Sequence, residues 1–270
     1  MTEPFEHKAR KRFGQNFLCD PDVVSRIVAA IAPRPGETLV EIGPGQGALT
    51  FPLLDRVGAL TAIELDRDLA AWLRSEASRH GNLTLIETDA LEVDFGLIGP
   101  RPLRLIGNLP YNISTPMLFH ALAHADAIAD MTFMLQREVV ERMAAPPGSK
   151  TFGRLSVMLQ ARCTVEPLLH VPPGAFRPAP KVESMVVRLV PLPAAEILDI
   201  DFTALDRVVR AGFAQRRKTL HNALSGVVDD ARLRMLGIEP GARAESLPVA
   251  MWLALARDVA SHMNQSPTRP

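Results

Sequence analysis

The sequence predicts an α/β fold: a parallel, doubly wound sheet with helices on both faces, followed by a small all-helical C-terminal domain. Three observations carry that expectation. Short apolar, β-branched runs alternate with helix-periodic stretches through the first half of the chain. The run Leu39-Val40-Glu41-Ile42 leads into Gly43-Pro44-Gly45-Gln46-Gly47-Ala48 and then an apolar helical stretch, the order of a nucleotide-binding strand, glycine loop and helix. Gly43, Glu64, Asp89 and Asn108 each fall where an apolar run stops, and open α/β sheets bind ligands at the carboxyl ends of their strands.

The elements follow in order. Asp20-Pro21 reads as an N-cap and first helical position, with Val23, Val24, Ile27, Val28 and Ile31 at helical spacing. Pro33-Arg34-Pro35-Gly36 ends that helix. Residues 39–42 form the first strand of the sheet. Pro52 sits awkwardly in a helix beginning at Ala48, and Thr50 as a late N-cap is one way out. Strands are expected at 60–64, 83–86, 103–106 and 131–135. Asp66 caps a helix through Trp72 and Leu73, with Gly81 as its stop, and Ser114-Thr115-Pro116 opens another. Further on, 155–159 reads as helix and 165–171 and 185–190 as strands. Between those strands lies Pro172-Pro173-Gly174-Ala175-Phe176-Arg177-Pro178-Ala179-Pro180-Lys181, a Pro-rich loop with one exposed-looking ring, Phe176. Pro191-Leu192-Pro193 reads as a linker, dividing the chain into 1–193 and 194–270.

Composition narrows the partners. Thirty basic and thirty acidic residues cancel, so no global charge announces nucleic acid, but the basic residues cluster. Lys8, Arg10, Lys11 and Arg12 crowd the N-terminus, and Arg216, Arg217 and Lys218 crowd a later helical region. Clustered basic charge on a neutral chain is a weak nucleic-acid footprint, with a solvated helix face as the plain alternative. Cys19 and Cys163 lack metal-ligand spacing, so neither a disulfide framework nor a metal site is expected. No apolar run approaches ~18 residues and the N-terminus has no signal-peptide core, so no membrane association is expected.

The densest chemistry lies in Ile106-Gly107-Asn108-Leu109-Pro110-Tyr111-Asn112-Ile113-Ser114. An apolar run breaks at a glycine and is followed by an amide, a Pro-stiffened turn and the only tyrosine of the chain. A strand end of this kind projects an Asn, backbone carbonyls and a ring into one small space. It suits a flat, amino-bearing ring such as adenine. The N6 amine of adenine is a poor nucleophile because its lone pair is delocalised. Acceptors at the Asn108 side chain and the Leu109 carbonyl would draw that pair out of conjugation while Tyr111 stacks the base, a contact worth roughly 1–3 kcal/mol. A base inside a helical stack must first be flipped out of it.

Gly43, Gly45 and Ala48 also satisfy the dinucleotide fingerprint, with Glu64 where the ribose acid would sit, so the loop alone leaves NAD and S-adenosylmethionine both open. Three features favour the methyl donor. Glu41 puts an acid inside the strand before the glycines, Asp89 can accept from an adenine amine, and Asn108 ends the strand where sulfonium and target amine would meet.

These motifs together resemble a known family. Gln15-Asn16-Phe17-Leu18, Glu41-Ile42-Gly43-Pro44-Gly45, Glu64-Leu65-Asp66, Asp89-Ala90, the Asn108 to Ser114 stretch, Phe176-Arg177-Pro178-Ala179-Pro180-Lys181-Val182 and Gln215-Arg216-Arg217-Lys218-Thr219 occur in order. The chain resembles the bacterial 16S ribosomal RNA adenine N6,N6-dimethyltransferases, the kasugamycin-sensitivity methyltransferase family. That resemblance implies a Rossmann-like, S-adenosylmethionine-dependent domain with an N-terminal cofactor-closing segment and a helical RNA-binding domain. It also implies a cytoplasmic, monomeric enzyme that dimethylates two adjacent adenosines in the 3′-terminal hairpin of 16S rRNA on assembling 30S subunits. By position, Asn16, Leu18, Gly43, Gly45, Glu64, Asp89, Ala90 and Asn108 are implied as cofactor contacts, with Glu64 on the ribose and Asp89 on the adenine amine. Asn108, Leu109, Pro110 and Tyr111 are implied at the target amine, and Phe176 on the other face of the base. Arg10, Lys11, Arg12, Arg216, Arg217 and Lys218 are implied as RNA contacts. The rivals are a resistance methyltransferase acting on 23S rRNA, which shares the fold, and a non-catalytic assembly factor.

Overall fold

The computed structural model describes residues 15–263. These divide into two compact units, 15–140 with Glu166–Pro191 and Glu141–Val165 with 192–263.

The first unit is organised by a seven-stranded sheet. Its strands are β2 (Thr38–Ile42), β3 (Ala59–Ile63), β4 (Asn82–Ile86), β5 (Leu103–Asn108), β6 (Ile128–Gln136), β7 (Cys163–Val171) and β9 (Ser184–Pro191), in the order β4-β3-β2-β5-β6-β9-β7. The pairs from β4 through β6 are parallel, and β9 runs antiparallel to β6. Two short strands, β1 (Phe17–Leu18) and β8 (Phe176–Arg177), pair apart from the sheet. The central strands β2 and β5 are buried along almost their whole length, which is why they read as near-continuous apolar runs, whereas β4 at the edge alternates.

Four helices belong wholly to this unit: α1 (Pro21–Ile31), α2 (Thr50–Val57), α3 (Arg67–Ala77) and α4 (Ser114–Ala123). Asp20 caps α1 by accepting from the amides of Asp22 and Val23, and Asp66 caps α3 by accepting from Asp68. Two sequence expectations shift here. Thr50 is the first helical residue of α2 and Leu49 its cap, because the Thr50 hydroxyl is committed to Glu41, 2.6 Å away. Pro52 then falls in the first turn, where its missing N–H costs no helical bond. Helix α3 ends at Ala77, and the amide of Gly81 reaches back to the Ala77 carbonyl from beyond the helix. The unit's core gathers Leu18, Val23, Ile27, Leu53, Ile106 and Phe176, among others, into one cluster.

The second unit is helical. α5 (Arg137–Met143) leads into it, followed by α6 (Arg154–Gln160), α7 (Ala194–Ile197), α8 (Phe202–Phe213), α9 (Leu220–Ala223), α10 (Asp230–Met235) and α11 (Val249–Met263). The linear division at 193 differs from the observed one, because Glu141–Val165 groups with the C-terminal helices. The reason is aromatic packing: the Phe213 ring lies 6.2 Å from that of Phe152 and 5.3 Å from that of Trp252, which is fully buried.

Candidate active site

A cavity of about 300 Å³ opens within the first unit, where the carboxyl ends of β2, β3, β4 and β5 converge. Its floor is the turn after β2. Gly43 and Gly45 have φ of 65° and 57°, a left-handed backbone that L side chains rarely adopt. A Cβ on Gly45 would also lie 3.1 Å from Cδ1 of Phe17, so the bare backbone lets the β1 segment close over the loop. Glu64 braces this turn, with Oε2 accepting from the Gly45 amide at 3.2 Å and Oε1 from the Asp66 amide at 2.8 Å. Burial pushes the Glu64 carboxyl above its ordinary value, and those two amides only partly offset it. Glu41 is buried more completely. Burial drives its carboxyl up to about 7 despite the Thr50 hydrogen bond, and the neighbouring Glu64 adds to the rise. Asp89 completes the acidic set; its Oδ1 accepts from the Leu91 amide at 2.9 Å.

The β1 segment straps this cavity. Gln15 donates to Asp66 at 3.4 Å, and Asn16 offers its carbonyl oxygen to Nδ2 of Asn108 at 3.0 Å. Leu18 pairs with Phe176, and the Cys19 amide donates to the Ala175 carbonyl. Asn108 itself ends β5. The residue before it must be glycine, because a Cβ on Gly107 would lie 2.5 Å from the Ile42 carbonyl oxygen of the adjacent strand. After Asn108, the Leu109 amide donates to the Met134 carbonyl and the Ile113 amide to that of Pro110, closing a tight turn. Tyr111 sits on that turn, half-buried and lining the cavity, with its hydroxyl 2.8 Å from that of Ser184.

The donor set discriminates between the two cofactors left open by the glycine loop. Glu41, Glu64 and Asp89 line the cavity, and no Lys, Arg or His does so among the described residues. A pyrophosphate would meet carboxylates with no basic partner. A sulfonium compound bearing an ammonium group and ribose hydroxyls meets acceptors, and so the residues present fit S-adenosylmethionine.

Asn16, Leu18, Gly43, Gly45, Glu64, Asp89, Ala90, Asn108, Leu109, Pro110 and Tyr111, singled out from the sequence, all line this one cavity. Phe176 is a correction. Its side chain is only 3% exposed and joins the core cluster with Leu18, Val171 and Ala175. A Pro-rich loop signals the absence of long regular structure, not which way a ring faces; here two residues of the loop form β8 and the ring packs inward. Arg216, Arg217 and Lys218 are exposed in the second unit, but Arg216 is engaged, pairing with Glu245 at 2.9 Å and with the Lys150 carbonyl. Arg10, Lys11 and Arg12 lie outside the described residues. Residues not singled out as contacts also line the cavity: Gln15, Thr88 and Leu65, the last half-exposed between two buried acids. An apolar residue flanked by Glu64 and Asp66, explained by neither strand nor helix period, was the available signal. Among the described residues no His/Cys/Asp/Glu cluster could hold a metal, and no helix is long and apolar enough to cross a membrane.

Comparison with known proteins adds to this geometry. The model of the ribosomal RNA adenine dimethylase family matches residues 6–261. A "Ribosomal RNA small subunit methyltransferase A" of Xanthomonas campestris pv. campestris (strain B100) is 60% identical over 257 residues, covering 95% of this chain and 98% of its own. Its counterpart in Xanthomonas axonopodis pv. citri (strain 306) is 59% identical over the same span. Among solved structures, a dimethyladenosine transferase from Plasmodium falciparum shares the fold with a TM-score of 0.79 at 24% identity, covering 90% of this chain and 97% of that one. The 23S rRNA methyltransferase ErmE superposes with a TM-score of 0.70 at 27% identity, covering 91% of this chain and 100% of that one.

Proposed function

The chain belongs to the ribosomal RNA adenine dimethylase family, S-adenosylmethionine-dependent enzymes, and we propose that it dimethylates the N6 amines of two adjacent adenosines in the 3′-terminal hairpin of 16S rRNA. In this reading it works as a cytoplasmic monomer on assembling 30S subunits, late in their biogenesis. Identity of 60% to small-subunit methyltransferases, against 27% to a 23S enzyme, supports the small-subunit substrate.

The observation that carries the chemistry is the juxtaposition of an acid-lined cavity with Asn108. S-adenosylmethionine supplies an electrophilic methyl group when bound. The backbone of Gly43 and Gly45, Glu64, Asp89, Ala90, Asn16 and Leu18 would hold it, Glu64 taking the ribose hydroxyls and Asp89 the adenine amine. With Nδ2 of Asn108 committed to the Asn16 carbonyl, the acceptor end of the amide is left for the target amine. Asn108 and the Leu109 carbonyl would each accept one N6 hydrogen, localising the lone pair on nitrogen, while Tyr111 stacks the flipped base. Pro110 stiffens the turn that holds both. No strong base is required, since the methylated amine sheds its proton readily. Orientation and fixed dipoles supply the acceleration. Arg217 and Lys218, with Arg10, Lys11 and Arg12, would contact the RNA backbone.

The test is methyl transfer from labelled S-adenosylmethionine to under-methylated 30S subunits, with 50S subunits in parallel and Asn108→Ala as the blank. Dimethyladenosine in 16S rRNA, lost in the variant, is the expected outcome. Label in 23S rRNA, or tight 30S binding with no transfer, would overturn the proposal.

A further inference from the structure

Ser184 is a polar residue without an evident reason to be buried. It opens β9, opposite Gln136 of β6, and is only 1% exposed. Its hydroxyl lies 2.8 Å from the hydroxyl of Tyr111, which gives the buried group a hydrogen-bond partner. Ser184 does not line the cavity, whereas Tyr111 does.

Both ends of this hydrogen bond are held. The Arg137 amide donates to the Glu183 carbonyl at 2.9 Å, fixing the backbone one residue before Ser184. The Glu183 carboxylate is gripped by the Arg137 guanidinium at 2.7 Å and lies 3.1 Å from the His170 ring. On the other side, Ser114 Oγ donates to the Tyr111 carbonyl at 3.0 Å, so the main chain of the tyrosine is anchored as well. A ring that only stacks needs no hydroxyl. Tying that hydroxyl to a rigid strand removes ring freedom before substrate arrives, and such pre-organisation is what a stacking platform gains from a partner.

We propose that Ser184 is a positioning residue of the target site: its buried hydroxyl fixes the Tyr111 ring in the orientation that stacks the adenine to be methylated. The proposal rests on the functional reading above and extends it to a third strand, since β5, β6 and β9 then jointly build the base platform.

Tyr111 is the only tyrosine in the chain, which makes a site-specific test available. Protein grown with 3-fluorotyrosine carries a single fluorinated site, with the fluorine beside the hydroxyl in question. Fluorine NMR is compared for the wild type, Ser184→Ala and Ser184→Thr, together with S-adenosylmethionine affinity and methyl transfer to under-methylated 30S subunits. In Ser184→Ala the resonance shifts and narrows as the ring gains freedom. Cofactor affinity stays within about twofold and kcat falls about five- to tenfold, the scale of one lost hydrogen bond. Ser184→Thr, which keeps the hydroxyl, restores both signal and rate. Tyr111→Phe loses a similar factor, and adding Ser184→Ala to it costs little more, because the two act as one unit. An unchanged resonance in Ser184→Ala overturns the positioning role whatever the activity. So does an altered resonance with wild-type kcat, or full additivity in the double variant. If the resonance responds as expected but the wild type methylates no 30S subunit, the functional reading fails instead.

Discussion

Glu41 offers the sharpest quantitative test, because its carboxyl sits in the first unit with only 2% exposure and a value raised from 4.5 to about 7. Burial is the main cause, the Thr50 hydroxyl opposes it, and Glu64 adds to it. A raised carboxyl has a definite consequence for stability. Below about pH 4.5 it is protonated in both folded and unfolded chains and costs nothing. Between 4.5 and 7 only the unfolded chain ionises, so the folded state loses stability as pH rises, and the loss is complete once pH passes 7. Two to three pH units at 1.36 kcal/mol each give about 3 kcal/mol. Glu41→Gln keeps the volume and can still pair with Thr50, whose hydroxyl accepts as well as donates. The difference in unfolding free energy between Glu41→Gln and wild type, from urea melts at half-unit steps from pH 4.5 to 8, should grow by about 3 kcal/mol in favour of the variant. A shift of roughly 6–12 °C in relative Tm is the thermal equivalent. A ligand with net positive charge in this cavity favours the ionised carboxylate. S-adenosylmethionine binding near pH 6 should therefore release more protons from the wild type than from Glu41→Gln, measured calorimetrically in buffers of different ionisation enthalpy. A pH-independent stability difference, together with equal proton release, would refute the reasoning.

Three further outcomes follow from the geometry. Gly107→Ala drives a methyl into the Ile42 carbonyl, backbone that cannot move aside; the expected destabilisation is about 1–3 kcal/mol by urea melt, with a larger fractional loss of methyl transfer because Asn108 is displaced. Arg104 joins Glu37 at 2.6 Å and Asp130 at 3.0 Å while donating to the Ile31 carbonyl at the end of α1. Burial raises the Glu37 carboxyl, but hydrogen bonds from Arg104 and the Arg34 amide together outweigh it and hold the group below its ordinary value. Arg104→Met should then cost about 3–5 kcal/mol at pH 7, a cost that shrinks as pH falls through the carboxylate range. Replacing Arg217 and Lys218 by alanine should lower the salt slope of 30S binding by about one for each phosphate no longer neutralised, whereas Arg216→Ala, already paired with Glu245, should change it less.

The sheet was legible because β2 and β5 are buried on both faces and so appear as unbroken apolar runs, and because the glycine turn between β2 and α2 announces itself by residue type. The cavity was legible for the same reason: its walls are strand ends, and strand ends are where apolar runs stop. What escaped has no local period. β1 and β8 are two residues each, too short to alternate, and their partners are separated by most of the chain. Phe152 joins the second unit through rings at Phe213 and Trp252, a long-range packing choice that no linker composition reveals. Phe176 escaped because a ring in a Pro-rich loop suggests exposure, yet tertiary packing buries it, as it buries the Ser184 hydroxyl at the start of β9.

The hydrogen bond from Asn108 to Asn16 joins the strap to the target site, and it makes a last outcome decidable. Asn108 donates from Nδ2 to the Asn16 carbonyl, while the proposed chemistry needs only its oxygen. Asn108→Asp preserves shape and adds acceptor strength, so a purely acceptor role would leave it active. The geometry demands the reverse, because an ionised carboxylate at 3.0 Å from the Asn16 carbonyl oxygen repels it and lifts the strap from the cavity. Cofactor affinity and methyl transfer should both fall, the latter by roughly 10²-fold or more, the range for losing a positioned polar group. Lowering the pH protonates the introduced carboxylate and restores a donor, so the ratio of variant to wild-type rate should rise towards acid. A variant as active as wild type at pH 8 would break the link between strap and target amine, and with it the reason for an asparagine at this strand end.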